Sequence, residues 1–176
     1  DGAKLSKRHG ALGVEAYRDE MGFLPEAINN YLLRLGWGHG DDEVISTEQA
    51  IEWFDITDVG KGAARFDFAK LTNLNGIYLR QADDKRLANE IAPLIAKKIG
   101  VSDLDASQKE ILISGMSGLK ERAKTLTELA DSSAFYVTDG VLSVNEKAQS
   151  LIDGAPEGLF KELANNLEAL DSWTEE

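Results

Sequence analysis

Gly22-Phe23-Leu24-Pro25-Glu26-Ala27-Ile28-Asn29-Asn30-Tyr31-Leu32-Leu33-Arg34-Leu35-Gly36 is the stretch on which the fold turns. Pro25 stands where a first helical turn tolerates a missing N–H, and Gly36 stands where a helix stops. Leu24, Ile28, Tyr31, Leu32 and Leu35 recur at helical spacing and predict one buried face. Gly36 to Asp42, with three glycines, predicts a tight exposed connection. Ser46-Thr47-Glu48-Gln49 has the form of a capping box and predicts a short helix carrying Ile51, Trp53 and Phe54. Residues 58–65 read as a loop, and a helix from about Asp67 to Leu79 would present Phe68, Leu71, Leu74 and Tyr78 on one side.

A composition shift at Gln81-Ala82-Asp83-Asp84 marks the expected domain boundary, and helices dominate beyond it. Leu87, Ile91, Leu94 and Ile95 mark one helix, ended by Gly100 and disturbed by Pro93, which lacks a backbone donor. A short one holds Ile111 to Ile113. Leu119, Ala123, Leu126 and Leu129 predict a continuous helix near 119–130, with two more at 144–152 and 159–170. Only 134–144 reads as strand-like. The expected architecture is mainly α: residues 14–80 a small α+β or mainly helical unit, residues 81–176 all-helical.

The chain has 176 residues, 43% of them hydrophobic and 28% charged, which excludes wholesale disorder. No apolar run approaches the roughly 18–20 residues that cross a bilayer, so no membrane role is expected. Without cysteine there are no disulfides or thiolate zinc sites, and two histidines do not make a His-rich metal site. A reducing, cytoplasmic location fits that composition. The net charge of −12 weighs against nucleic acid, but the acid is unevenly placed. Residues 131–176 hold ten acidic and two basic side chains, whereas 81–130 hold eight of each and 1–40 five of each.

Lys4-Leu5-Ser6-Lys7-Arg8-His9-Gly10 is the sharpest chemical feature. Lys4, Lys7 and Arg8 with the Ser6 hydroxyl form a compact anion cradle, joining flexible point charges to a planar fork. Such a loop suits the charge that develops on a leaving pyrophosphate. The spacing is not that of a Walker A loop. By composition alone the cradle competes with a plain solvated basic end. Trp37, His39 and Asp41 read as a structural turn rather than a binding site, and Trp53, Phe54, Phe66 and Phe68 as core rather than a base-stacking platform.

Lys4-Leu5-Ser6-Lys7-Arg8-His9-Gly10-Ala11 resembles the KMSKS signature of class I aminoacyl-tRNA synthetases, in the form usual in bacterial glutamyl-tRNA synthetases. The resemblance continues in order through Tyr17-Arg18, Gly22 to Ala27, Asn30-Tyr31-Leu32, Leu35-Gly36-Trp37, His39-Gly40-Asp41, Phe66-Asp67, Lys70-Leu71, Leu74-Asn75-Gly76 and Tyr78-Leu79-Arg80. Leu119 to Leu126 and Glu128-Leu129 resemble that family's anticodon-binding helix. The chain departs at Asn73, where the family often has Trp, and at Gly62-Ala63, where it often has Ser-Pro.

The resemblance implies a ligase that activates glutamate with ATP and Mg2+ and loads it onto tRNA(Glu), with tRNA(Gln) as an alternative acceptor, and a monomer. It implies that residues 1–13 are the phosphate loop closing the catalytic domain, 14–80 a stem-contact fold, and 81–176 a helical, truncated anticodon-binding region. The nucleotide-binding half is expected to precede Asp1, so the chain alone is expected to be inactive and to hold no cofactor. Lys7 is implied to touch the ATP phosphates, with Lys4, Ser6 and Arg8 supporting the loop. Arg80, Lys85, Arg86, Lys120, Arg122 and Lys124 become the candidates for the tRNA backbone. The competing readings are a non-catalytic RNA-binding module and an acidic protein-interaction domain. In the intact ligase, Lys7→Ala is expected to slow glutamate activation by about 10²–10³-fold, the usual loss for one electrostatic donor to a transition state. ATP–pyrophosphate exchange measures it, and unchanged activation removes the role.

Overall fold

Leu24 begins the architecture: its backbone is extended, and Pro25 takes the first turn of the helix that follows, α1 (Pro25–Arg34). The computed structural model describes residues 12–62, 64–138 and 144–172. The expected phosphate loop, with Lys4, Ser6, Lys7, Arg8 and His9, lies outside them. A π-helical turn (Ala16–Glu20) precedes α1. Then come α2 (Thr47–Trp53), a 3-10 turn (Ile56–Asp58), α3 (Phe68–Gln81), α4 (Asp84–Ile99), α5 (Ala106–Lys120), α6 (Leu126–Ser133), a 3-10 turn (Ala134–Tyr136), α7 (Glu146–Asp153) and α8 (Leu159–Glu168).

Most helix starts are side-chain caps. Ser46 and Gln49 form the expected capping box of α2, and Asp105 and Gln108 form another at α5. Asp67 accepts from two backbone donors of α3, Asp83 caps α4, and Thr125 caps α6. α4 ends at Gly100, whose φ of 79° is left-handed, the glycine stop that was expected. Pro93 stands inside α4 without ending it, on the exposed side of a stripe formed by Leu87, Ala88, Ile91, Ala92, Ile95 and Ala96.

Three expectations are corrected. No strand occurs among the described residues, so the α+β character expected of 14–80 is absent there. The extended segments direct their backbone groups elsewhere: Ile45 N–H donates to Asn30 Oδ1 at 2.9 Å, and one bond, Gly60 N–H to Gly36 O at 2.7 Å, stands where a ladder would run. In the strand-like stretch, residues 134–136 form the 3-10 turn, and 139–143 lie outside the described residues. The continuous helix expected near 119–130 is two helices: α5 ends at Lys120, and Thr125 caps a new one.

The chain divides into two compact units after Thr138. In the first, one core joins Leu24 and Ala27 of α1 and Leu79 of α3 to Leu87, Ile91 and Ile95 of α4, Leu112 and Met116 of α5 and Leu129 of α6. Packing therefore runs across the composition shift at 81–84. A second cluster gathers Phe23, Tyr31 and Leu71 with Tyr17, Phe66 and Leu74 around it. Leu32, expected on the buried face of α1, is 51% exposed, and the buried face instead includes Asn30. The second unit holds α7 and α8, whose described residues bury no side chain completely.

Asn75, fully buried on α3, ties the start of α1 to the loop before α6. Its Oδ1 accepts from Leu24 N–H at 2.7 Å, and its Nδ2 donates to Lys124 O at 2.6 Å. Alongside, Leu126 N–H donates to Gly22 O at 2.8 Å. Gly22 has φ of 70°, and a Cβ there would lie 2.7 Å from Thr127 N, so only glycine fits. Arg86 braces α1 against α4: its Nε donates to Glu90 at 2.7 Å, and its Nη1 and Nη2 reach the two oxygens of Glu26. The Arg86 hydrogen bonds hold the Glu26 carboxyl below its ordinary pKa, against partial burial that pushes it up.

Two outcomes follow from these ties. Asn75→Ala leaves the buried Leu24 N–H without a partner and removes the part-buried bond to Lys124 O, and is expected to cost about 2–4 kcal/mol, read from the urea midpoint. Glu26 has a folded pKa below its unfolded value, so its contribution is present above the unfolded pKa near 4.5 and is lost as pH falls through the lower folded one. Glu26→Gln is therefore expected to destabilise at neutral pH and to flatten the acid limb of the stability–pH curve. An acid limb identical to the parent's would show that the pair contributes nothing.

Candidate nucleic-acid interface

α3 carries the candidate surface. Its inner side buries Leu71, Asn75 and Leu79; Lys70, Asn73, Ile77 and Arg80 follow one another along the other side. Gly76 lies between the two, and two cations stand against it. A Cβ there would lie 3.4 Å from Lys124 Cγ and 3.5 Å from Arg80 Nη1. Lys124 Nζ donates to Asn73 Oδ1 at 2.9 Å, and Asn75 holds the Lys124 backbone carbonyl. Arg80 and Lys124 are thus neighbours across α3, although 44 positions separate them in the chain.

The same side of α3 opens into a groove of about 910 Å3 whose lining includes Arg34, Arg65, Lys70 and Asn73. Its aromatic wall is a connected set: Phe66 meets Tyr31 edge-on at 4.9 Å and Phe68 at 4.9 Å, while Phe68 stacks parallel to Tyr17 at 6.0 Å. Phe68 is 46% exposed, so it is not the core residue expected. Glu43 and Asp67 also line the groove, and Asp67 is committed to capping α3. Exposed cations beside an exposed ring can take both phosphates and an unstacked base.

The six cations expected at the RNA backbone divide by what they touch. Arg80, Lys85, Arg122 and Lys124 are exposed. Arg86 is half-buried between Glu26 and Glu90. The Lys120 side chain, 14% exposed, donates to Ala82 O at 2.9 Å and lies 2.7 Å from Asp84 Oδ1, a close ion pair without the angle of a hydrogen bond. Lys120 and Lys124 do not share a helix face, because the chain leaves the helix between them. Thr125-Leu126-Thr127-Glu128, a second capping signature, carried that information in the sequence. Arg34, Arg65 and Lys70 are the cations that sequence reasoning missed, since only the fold brings them to one groove.

At the turn of Trp37, His39 and Asp41, the last two are exposed. Trp37 is buried, and the His39 ring stacks on Trp53 at 4.2 Å with its Nδ1 3.0 Å from Asp42. Among the described residues, no group of three or more His, Asp or Glu could hold a metal ion, and no helix is long and apolar enough to cross a membrane.

Residues 1–73 match the family model for class I tRNA synthetases (E and Q), catalytic domain, and residues 84–176 match the anticodon binding domain. Glutamate–tRNA ligase 1 of Sphingopyxis alaskensis is 57% identical over the whole of this chain, which spans 36% of that protein. Glutamate–tRNA ligase 2 of Paramagnetospirillum magneticum is 57% identical over 99% of the chain, again 36% of its own length. A crystal structure of a glutamate tRNA ligase from Elizabethkingia meningosepticum, in complex with its amino acid, superposes with a TM-score of 0.72 at 27% identity. That superposition covers 96% of this chain and 36% of the other. The chain therefore spans about a third of the length of the relatives it matches. With the anticodon binding domain matched over residues 84–176, more than half its length, the chain belongs to the anticodon binding domain family.

Proposed function

We propose that this chain is the C-terminal tRNA-binding part of a monomeric, cytoplasmic glutamate–tRNA ligase. The whole enzyme activates glutamate with ATP and transfers it to tRNA(Glu). In this reading Lys7 meets the ATP phosphates, with Lys4, Ser6 and Arg8 shaping the loop around it. Mg2+ would neutralise the same phosphates. Residues 14–80 lie along the stem of the tRNA, and 81–176 take its anticodon end.

The observation that carries the reading is the pairing of Arg80 and Lys124 across Gly76, continuous through Asn73 with the groove of Arg34, Arg65 and Lys70. RNA affinity rests on phosphate neutralisation, and these are outward cations on one side of an otherwise acidic chain. Lys85 and Arg122 extend the set. Arg86 and Lys120 act differently: their charges answer Glu26, Glu90 and Asp84, so they position the helices that carry the others.

Titrating tRNA(Glu) into the chain at several salt concentrations tests this. Binding is expected to be weak at physiological salt and to strengthen as salt falls. Arg80→Ala/Lys124→Ala is expected to weaken it and to lower the salt slope by roughly one per lost contact. Lys120→Ala is expected to lower thermal stability while leaving that slope unchanged. A double variant that binds as tightly as the parent would place the RNA elsewhere.

A further inference from the structure

α2 is a helix with little to hold it down. It buries none of its seven residues, and its start is secured by the Ser46–Gln49 capping box. Ile51 on it is 78% exposed, and Ile56 in the following 3-10 turn is 77% exposed; Phe54 and Val59 are exposed at 45% and 40%. Single exposed apolar residues need no explanation, but a cluster of four in nine positions does. Beside it, between α1 and α2, runs a groove of about 320 Å3 with walls of Leu33, Ile45, Ala50, Ile51 and Phe54. Asn30, 3% exposed, lines it too. Its Oδ1 accepts from Ile45 N–H and from the Tyr78 hydroxyl, whereas its Nδ2 has no partner. A buried amide donor without an acceptor is a costly group, and an acceptor brought by a ligand would relieve it.

The charge around this patch has one sign. Residues 41–58 hold Asp41, Asp42, Glu43, Glu48, Glu52, Asp55 and Asp58, with no Lys, Arg or His among them. An RNA backbone is repelled by such a rim. A second copy of the chain is disfavoured for the same reason, because a two-fold interface sets the same carboxylates against each other. A partner with cations around an apolar centre meets both the rim and the groove.

We propose that the α2 face, with the groove between α1 and α2, is a docking site for a protein segment that carries apolar side chains between lysines or arginines, a basic amphipathic helix. Its apolar side chains enter the groove beside Ile51 and Phe54, in the helix-in-groove manner, and its cations meet the carboxylates of 41–58. The groove shares no lining residue with the cationic groove beside α3, although Glu43 of the acidic rim lines the latter.

The test uses the 176-residue chain and an amidated synthetic peptide of leucine and lysine at helical spacing, followed by backbone amide shifts. Shifts are expected in 26–33 and 45–59. Ile51→Ser/Ile56→Ser is expected to weaken the peptide about tenfold, the loss typical of removing an interface anchor. Both positions are exposed, so thermal unfolding is expected to stay at the parent's temperature. Glu52→Gln/Asp58→Asn is expected to weaken binding and reduce its salt dependence, while Glu162→Gln/Glu168→Gln on α8 leaves both unchanged. Shifts spread equally over α7 and α8, or an equal loss from the α8 pair, would reduce the effect to general charge attraction and overturn the site. Perturbation of the same residues by tRNA(Glu) would make it an RNA surface instead. Concentration-dependent dimerisation abolished by Ile51→Ser would make the occupant a second copy.

Discussion

The two hydrogen bonds of the Asn75 amide are the constraint on which most of the first unit depends. One holds the backbone where α1 begins, and the other holds the loop between α5 and α6. Both partners are main-chain groups that secondary structure leaves open, a helix start in one case and an inter-helix carbonyl in the other. Leu24 N–H is buried, so it has no water to turn to if the amide is lost. Gly22 and Leu126 close the same junction from beside it, at a backbone angle only glycine tolerates without strain. The region matched by the catalytic-domain model and the region matched by the anticodon-binding model are thus joined through packed backbone rather than through a linker.

That junction also decides which charges face outward. Lys124 is carried to α3 by its own carbonyl and stands next to Arg80, while Lys120, four residues earlier, turns inward to Asp84 and the end of α3. Sequence distance gives no hint of this division, because both lysines sit in one basic run. A net charge of −12 and a cationic α3 are compatible because the acids gather elsewhere, around α2 and beyond Thr138.

Local signals were legible, and long-range ones were not. Pro25, the Ser46–Gln49 box and Gly100 announce their helix ends in the sequence because each acts on its nearest neighbours. Family membership was legible for a similar reason: many short motifs stand in order along the chain. The strand-like reading of 134–144 failed at its start because Phe135 and Tyr136, residues that favour strands, lie in the 3-10 turn that follows α6. The long helix at 119–130 failed because an apolar period continues across Thr125, where a cap overrides it. Phe54 and Phe68 looked like core residues by composition, and only the fold shows that their neighbours leave them half open. Of the groove cations, Arg65 and Lys70 stand five positions apart, but Arg34 comes from α1, and only the fold brings it to them.

The junction at Gly22 has a consequence for how the chain is made. Thr127 Oγ donates to Met21 O across 106 positions, so the partners of the first helix are synthesised long after it. α3 and α4 follow within that interval, but α6 comes only at its end, and α1 is too short to be stable alone. At bacterial elongation rates of about 5–20 residues per second, the wait is on the order of five to twenty seconds. Closing so long a loop is itself slow by the standards of helical proteins, whose contacts are mostly local. The tie that closes the junction is therefore among the last of the first unit to form, and a strongly acidic chain resists aggregation through that delay better than a neutral one would.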